Sequence, residues 1–301
     1  MEKLGFIGLG IMGRPMAKNL LRAGYELLVN DVSGAAVAAV TDEFPGAKYA
    51  SAAEIGEKCD IIFTILPTGA IVKSVLFSES GAASTLRAGS LVIDMSSVTP
   101  GESRECSERL AKLGVSFLDS PVSGGEPGAI DGTLAFMAGG ERESFERARP
   151  YFDVMGSSAT LVGGSGSGSV AKLTNQVIVN LTIAAVSEGF VLAAKAGADP
   201  EKVWQAIRGG LAASAVLDAK IPKIMDRDFA PGGKISINRK DIGNVLSAAH
   251  ELDVPAPLSA QLYEIMQSLK VAGQMDEDHA SIVKYFERLA DVEVKRGGRA
   301  E

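Results

Sequence analysis

The chain has 301 residues, with 30 Lys and Arg against 37 Asp and Glu, a formal net charge of −7. That length suits two domains, and 46% hydrophobic with 22% charged residues suits a packed core rather than a disordered chain. The acidic balance argues against nucleic acid as the main partner, because phosphate binding needs a basic footprint.

Cys59 and Cys106 are the only cysteines and His250 and His279 the only histidines. Two isolated thiols make no disulfide framework and fit a reducing compartment. No clustered metal-ligand spacing exists, so no metal is expected, and all four residues read as packing or surface. The N-terminus runs straight into a strand and a Gly-rich turn, without the apolar region of a signal peptide, so a cytoplasmic protein is expected.

In chain order, Leu4–Ile7 is a strand candidate, Gly8–Gly13 a turn, and Arg14–Ala23 an amphipathic helix. Tyr25–Asn30 is a second strand, ending at Asp31. Asp60–Leu66 is a third, closed by Pro67, which cannot continue a ladder. Ser90–Met95 and Val115–Asp119 follow, with helices over Ala70–Phe77 and Glu102–Leu113. Short apolar runs alternating with helices predict βαβ units and a parallel sheet. At Gly163–Ser169 the composition turns to Gly and Ser, the best boundary, which divides the chain into 1–163 and 164–301. Val170–Ala198 then runs for nearly thirty mostly apolar residues. Lys172, Asn175, Gln176, Asn180 and Glu188 interrupt it, so a helix buried in protein is expected rather than a bilayer span. Helical segments continue to about Ala290, and Asp291–Glu301 reads as a frayed tail. The expected fold class is α/β: an N-terminal Rossmann-type, doubly wound sheet followed by an all-helical domain built around one long interdomain helix.

Gly8-Leu9-Gly10-Ile11-Met12-Gly13 is G-x-G-x-x-G, placed between an apolar strand and an amphipathic helix. Its first Gly allows the tight turn and the second lets the backbone approach a pyrophosphate. The third lets the helix pack close, so that its N-terminus meets the phosphates. Gly8, Gly10, Ile11, Met12 and Gly13 are therefore candidate dinucleotide contacts. Asp31 ends the second strand, eighteen positions after Gly13. A carboxylate there hydrogen-bonds a ribose 2′-hydroxyl and repels a 2′-phosphate, and Val32, Ser33, Gly34 and Ala35 bring no Arg; NAD is expected over NADP.

Three segments resemble the β-hydroxyacid (3-hydroxyisobutyrate) dehydrogenase family. Gly5-Phe6-Ile7-Gly8-Leu9-Gly10-Ile11-Met12-Gly13-Arg14-Pro15-Met16-Ala17 is similar to its cofactor signature, and Asp119-Ser120-Pro121-Val122-Ser123-Gly124-Gly125 to its substrate-binding segment. Gly166-Ser167-Gly168-Ser169-Val170-Ala171-Lys172-Leu173-Thr174-Asn175 resembles the segment carrying its catalytic lysine. Gly125–Leu134, Asn175–Val179 with Gln176, and Gln205–Leu211 resemble the branch that reduces tartronate semialdehyde to D-glycerate. Asn238 departs from that branch, where His is expected.

The resemblance implies roles. Lys172 is the general acid and base, placed with Asn175 and Gln176 at i, i+3 and i+4 on one helix face. Ser123, Gly124 and Gly125 hold the substrate carboxylate through converging backbone N–H groups and a hydroxyl. Asn175 and Gln176 contact the substrate, and Asp241 orients its neighbours. Leu66 and Pro67 line the adenosine side of the cofactor, Ser97 the nicotinamide side, and Lys240 reaches toward it. The site is expected between the domains, and the substrate is a small 3-oxo or 3-hydroxy carboxylate. 3-Hydroxyisobutyrate dehydrogenase and a broad succinic-semialdehyde or glyoxylate reductase are the alternatives within the family; a non-catalytic dinucleotide-binding module is the alternative outside it, disfavoured by Lys172. The apolar Val177–Ala198 stretch implies a homodimer or homotetramer, without a membrane.

Overall fold

The computed structural model describes residues 2–297 and divides into two compact units, one up to Leu173 and one from Thr174.

The first unit is built on nine strands: β1 Leu4–Ile7, β2 Leu27–Asn30, β3 Ala47–Tyr49, β4 Ile61–Thr64, β5 Leu91–Asp94, β6 Ser116–Asp119, β7 Val122–Ser123, β8 Leu134–Gly139 and β9 Gly156–Gly163. Their order is β3-β2-β1-β4-β5-β6-β8-β7, with β9 beside β8. β3 through β6 are parallel neighbours, β8 runs antiparallel to β6 and β7, and β9 is parallel to β8. The helices are α1 Gly13–Arg22, α2 Gly34–Thr41, α3 Ala52–Lys58, α4 Gly69–Phe77, α5 Pro100–Ala111, α6 Gly125–Asp131 and α7 Arg142–Met155.

The central strands are buried on both faces, and period-two alternation sorts their side chains. Leu4, Phe6, Ile61, Phe63, Leu91 and Ile93 meet α1, α2 and α7, whereas Ile7, Ile62 and Val92 meet α3, α4 and α5. This is a doubly wound sheet, as expected. Local signals set the helix starts. Ser51 with Glu54, and Thr99 with Glu102, form capping boxes, and Pro100 occupies the first turn of α5, where its missing N–H does no harm.

Four strands escaped the sequence reading: β3, β7, β8 and β9. β3 and β7 have three and two residues and β9 is largely exposed, whereas β8, Leu-Ala-Phe-Met-Ala-Gly, is apolar but has no β-branched residue to mark it as a strand. The sheet is accordingly mixed rather than wholly parallel.

α8, Ser167–Lys195, begins three residues before the expected Val170 and ends three before Ala198. The division between units falls inside it, ten residues past the expected boundary at 163, because its first turn is bonded to Asp119 of the first unit. In the second unit α8 is joined by α9 Pro200–Ile207, α10 Ala215–Met225, α11 Ile235–Glu251, α12 Pro257–Val271, a 3₁₀ turn His279–Ile282 and α13 Val283–Ala290. Among the described residues the regular structure of the unit is helical, apart from an isolated bridge between Lys234 and Asp278. Phe190, Leu217, Ile221 and Val283 form one core cluster, and Ile183, Ile242, Leu262 and Met266 another. Asp278 ties the loop before α11 to the 3₁₀ turn, accepting from Lys220 Nζ and from the Gly232, Gly233 and Ala280 N–H groups at 2.9–3.1 Å.

The tail corrects another expectation. Residues 291–297 are not frayed: Val294 is buried, its N–H donates to Glu287 Oε1, and the Arg296 guanidinium pairs with Asp226 and Glu201. Gly298–Glu301 lie outside the described residues.

Candidate active site

Five parallel strands of the first unit end in register at their C-terminal edge on the successive partners Asn30, Ile7, Thr64, Asp94 and Asp119, a row that is polar apart from Ile7. Ligands of open α/β sheets bind at this edge.

The Gly-rich turn fits a pyrophosphate. Gly8 has φ +103° and its backbone lies against the Ile65 carbonyl, where a Cβ would come within 2.3 Å of the oxygen. A Cβ on Gly13 would meet the Gly8 carbonyl oxygen at 1.9 Å, so α1 packs directly on the turn. A Cβ on Gly10 would meet nothing within 4 Å, which is the open approach a phosphate needs. Ile11 is exposed and Met12 half-buried, and the N-terminus of α1 has no side-chain cap. It offers N–H donors and a positive dipole end.

Asp31 is part of this turn rather than a bystander. Its Oδ2 accepts the Leu9 N–H at 2.6 Å and its Oδ1 the Ser33 N–H at 2.8 Å. A carboxylate has about four lone-pair positions, so two backbone bonds orient it and leave capacity for ribose hydroxyls.

A second network organises the loops after β4 and β5. Thr64 Oγ1 and Ser96 Oγ both donate to Asp94 Oδ1, at 2.8 and 2.5 Å, and Ser96 Oγ accepts the Leu66 N–H at 2.8 Å. Burial holds the Asp94 carboxyl above the ordinary carboxylate range. Leu66, Pro67 and Ser97, expected near the cofactor, sit on the loops this network anchors, with Pro67 exposed and the other two half-buried. Thr64, Asp94 and Ser96 were not singled out in the sequence; strand-end polar residues after an apolar run were the available signal.

Ser123 closes β7, and Gly124 and Gly125 follow with φ +139° and +64°, turning the chain into α6. Both take backbone conformations that a side chain strains. Lys172 and Asn175 are half-buried and Gln176 buried, on one face of α8.

In the second unit, Gln176 is the centre of a polar chain. Its Nε2 donates to Asp241 Oδ2 at 2.6 Å, its Oε1 accepts from Asn175 Nδ2 at 3.0 Å, and Asp241 Oδ1 pairs with Lys240 Nζ at 3.0 Å. Asn175, Gln176, Asp241 and Lys240, picked separately from the sequence, are thus one connected group. Asn238, 5% exposed, donates its amide to the Lys234 carbonyl one turn back at 2.9 Å.

Cys59 and Cys106 are core residues. Burial, the main cause, pushes their thiols up to about 11 and about 12, away from thiolate chemistry.

Comparison with known proteins fits this geometry. Residues 3–164 match the family model for the NAD binding domain of 6-phosphogluconate dehydrogenase. Residues 166–286 match that for the NAD-binding domain of NADP-dependent 3-hydroxyisobutyrate dehydrogenase. The chain is 41% identical over 292 residues to 2-hydroxy-3-oxopropionate reductase of Escherichia coli, covering 96% of this chain and 98% of the relative. The chain belongs to the 3-hydroxyisobutyrate dehydrogenase family. Membership makes it an oxidoreductase acting on CH–OH groups of hydroxy acids with a nicotinamide dinucleotide. Within the family it is also 37% identical to 2-(hydroxymethyl)glutarate dehydrogenase of Eubacterium barkeri, over 98% of each chain. A solved member, 3-hydroxyisobutyrate dehydrogenase of Mycobacterium tuberculosis with L-serine, is 30% identical with TM-score 0.87, covering 94% of this chain and 98% of that one.

Proposed function

We propose that the chain is an NAD(H)-dependent reductase interconverting tartronate semialdehyde (2-hydroxy-3-oxopropanoate) and D-glycerate. The observation that carries this reading is the Asn175–Gln176–Asp241–Lys240 chain. It sets the plane of a polar amide on the same helix face as Lys172, which suits a substrate bearing a 2-hydroxyl better than one bearing a 2-methyl. The 41% identity to a reductase named for this substrate supports the same choice.

When bound, the nicotinamide supplies or accepts the hydride. As an ammonium, Lys172 donates a proton to the oxygen that gains charge as the aldehyde is reduced, and as the neutral amine it takes that proton back in the other direction. Ser123 and the Gly124–Gly125 turn hold the carboxylate end by N–H and O–H donors, which keeps the 3-oxo group oriented toward Lys172. The oriented Asp31 carboxylate supports NAD over NADP.

The test is kcat/KM with NADH for tartronate, methylmalonate and succinic semialdehydes, with Lys172→Ala alongside. A hundredfold preference for the first, and a fall of about 10²- to 10⁴-fold in the variant, is expected. Comparable rates on all three would replace the assignment with a broad semialdehyde reductase; a variant of full activity would remove Lys172 from the mechanism.

For the assembly, the same reading takes a second copy of the chain as the partner. α8 has an 18-residue window of mean hydropathy 1.9, and an apolar groove of about 690 Å³ runs between α8, α12 and α13, lined by Leu181, Leu192, Leu258 and Leu289. Glu188 and Lys195 flank Leu192 on the rim. Two copies of α8 packed antiparallel about Leu192 bring each Glu188 opposite the other's Lys195, a self-complementary pattern. The buried thiols suit a reducing compartment such as the cytoplasm.

A further inference from the structure

Asp119 is a charged side chain at the end of β6 that the chemistry above does not use. It is 1% exposed. Its Oδ1 accepts the Gly166 N–H and its Oδ2 the Ser169 N–H, both at 2.8 Å. These are the loop and first turn that open α8. The same turn is held from a second side by the buried Ser103–Ser169 hydroxyl pair at 2.8 Å, from α5. There is no slack: a Cβ on Gly168 would meet the Asp119 and Met137 carbonyl oxygens at 2.2 and 2.3 Å.

We propose that Asp119 is a positioning residue for proton transfer, fixing the first turn of α8, and through it Lys172, by the two N–H bonds to its carboxylate. The proposal rests on the reading of Lys172 as the acid. Lys172 lies three residues beyond Ser169, about 4.5 Å along the helix axis. Nothing flexible intervenes, so a shift of the turn moves the lysine with it. A displacement of about 1 Å at a reacting group costs on the order of a hundredfold in rate.

A buried carboxylate is an expensive way to cap a helix. Burial, the largest influence, raises its pKa to about 6 although the two N–H bonds oppose the rise. The charged groups around it are Asp94 on β5, which opposes its ionisation, and Arg104 on α5, which lies against Gly166; Lys172 follows one turn along α8, and β8 brings no charged side chain. An ionised Asp119 accepts at both oxygens. Protonation turns one of them into a donor and releases a helix bond, so turnover falls as pH drops through about 6.

The experiment is Asp119→Asn beside Lys172→Ala, assayed with NADH and tartronate semialdehyde from pH 5 to 8.5. The Asn variant retains one acceptor oxygen. Its kcat is expected to fall about tenfold or more at pH 8, with KM for NADH within about twofold, no loss of Tm, and loss of the acid limb near pH 6. A kcat within twofold of the parent with the acid limb intact overturns the proposal while leaving Lys172 in place. Full activity in Lys172→Ala removes the acid reading and this proposal together. A second measurement needs no variant: the Gly166 and Ser169 amide protons of the parent protein, followed by NMR, should titrate together with a midpoint near 6. If neither moves between pH 5 and 8, Asp119 is not the latch.

Discussion

Single residues divide the dinucleotide turn into parts that build the fold and parts that meet a ligand. Gly13 belongs to the first kind, since a Cβ would strike the Gly8 carbonyl oxygen at 1.9 Å. Gly13→Ala should cost about 2 kcal/mol or more in urea unfolding, because backbone must move to admit it. Gly10→Ala has nothing to strike, so its unfolding free energy should stay within about 0.5 kcal/mol of the parent. Its NADH Kd, read by fluorescence titration, should nevertheless rise at least about tenfold, because the methyl stands where the phosphates approach. Equal Kd values would show that the turn binds nothing. On the proposed function, Asp31 has both roles. Asp31→Asn is expected to raise the NADPH to NADH ratio of kcat/KM by about tenfold, roughly the worth of removing one charge repulsion, and to weaken the turn modestly through its bonds to Leu9 and Ser33.

Among the elements, α8 decides the most. Its first turn is held by the first unit, and its later turns carry Asn175 and Gln176 into the network around Asp241. The carboxyl at its start has a stability signature. Asp119 has a folded pKa of about 6 against 3.8, so between these values the native state binds the extra proton. Its contribution to stability is therefore greatest below about pH 4 and is lost as pH rises through about 6, a change on the order of 3 kcal/mol. Urea titrations of Asp119→Asn against the parent should show the variant gaining relative stability over that window; parallel curves would place the carboxyl outside the buried regime. The network at Asp241 behaves differently. Asp241→Ala leaves the Gln176 amide and the Lys240 ammonium without their shared partner, and should lower both stability and kcat.

For the whole molecule, the consequential surface is the apolar groove on the helical unit. Exposed Leu192, Leu258 and Leu289 line a patch that water does not favour. Light scattering after gel filtration should give a dimer mass at micromolar protein, or its doubling. Leu192→Glu, placed where the two-fold axis would pass, should shift it toward monomer. A monomeric parent at micromolar concentration would refute the pairing of α8 helices.

The elements most legible in the sequence were those whose signal is local. β1, β4 and β5 are short apolar runs, the Gly-rich turn is a run of steric necessities, and Lys172 with Asn175 and Gln176 is set on one helix face by the 3.6-residue repeat. Asp31 could be picked out because a strand end after a Gly-rich turn has few other uses. β3, β7, β8 and β9 could not, since their pairing is determined by what lies across the sheet rather than by their own composition. The tail looked frayed because much of its order rests on Glu201, Met225 and Asp226, far away in sequence. Asp119 illustrates the same limit at the site: its sequence neighbours mark a strand end, whereas its bonds run to Gly166 and Ser169, some fifty residues on. Periodicity and steric demand act between near neighbours and can be read along a chain; burial, register and hydrogen bonds between distant segments exist only once the chain has folded.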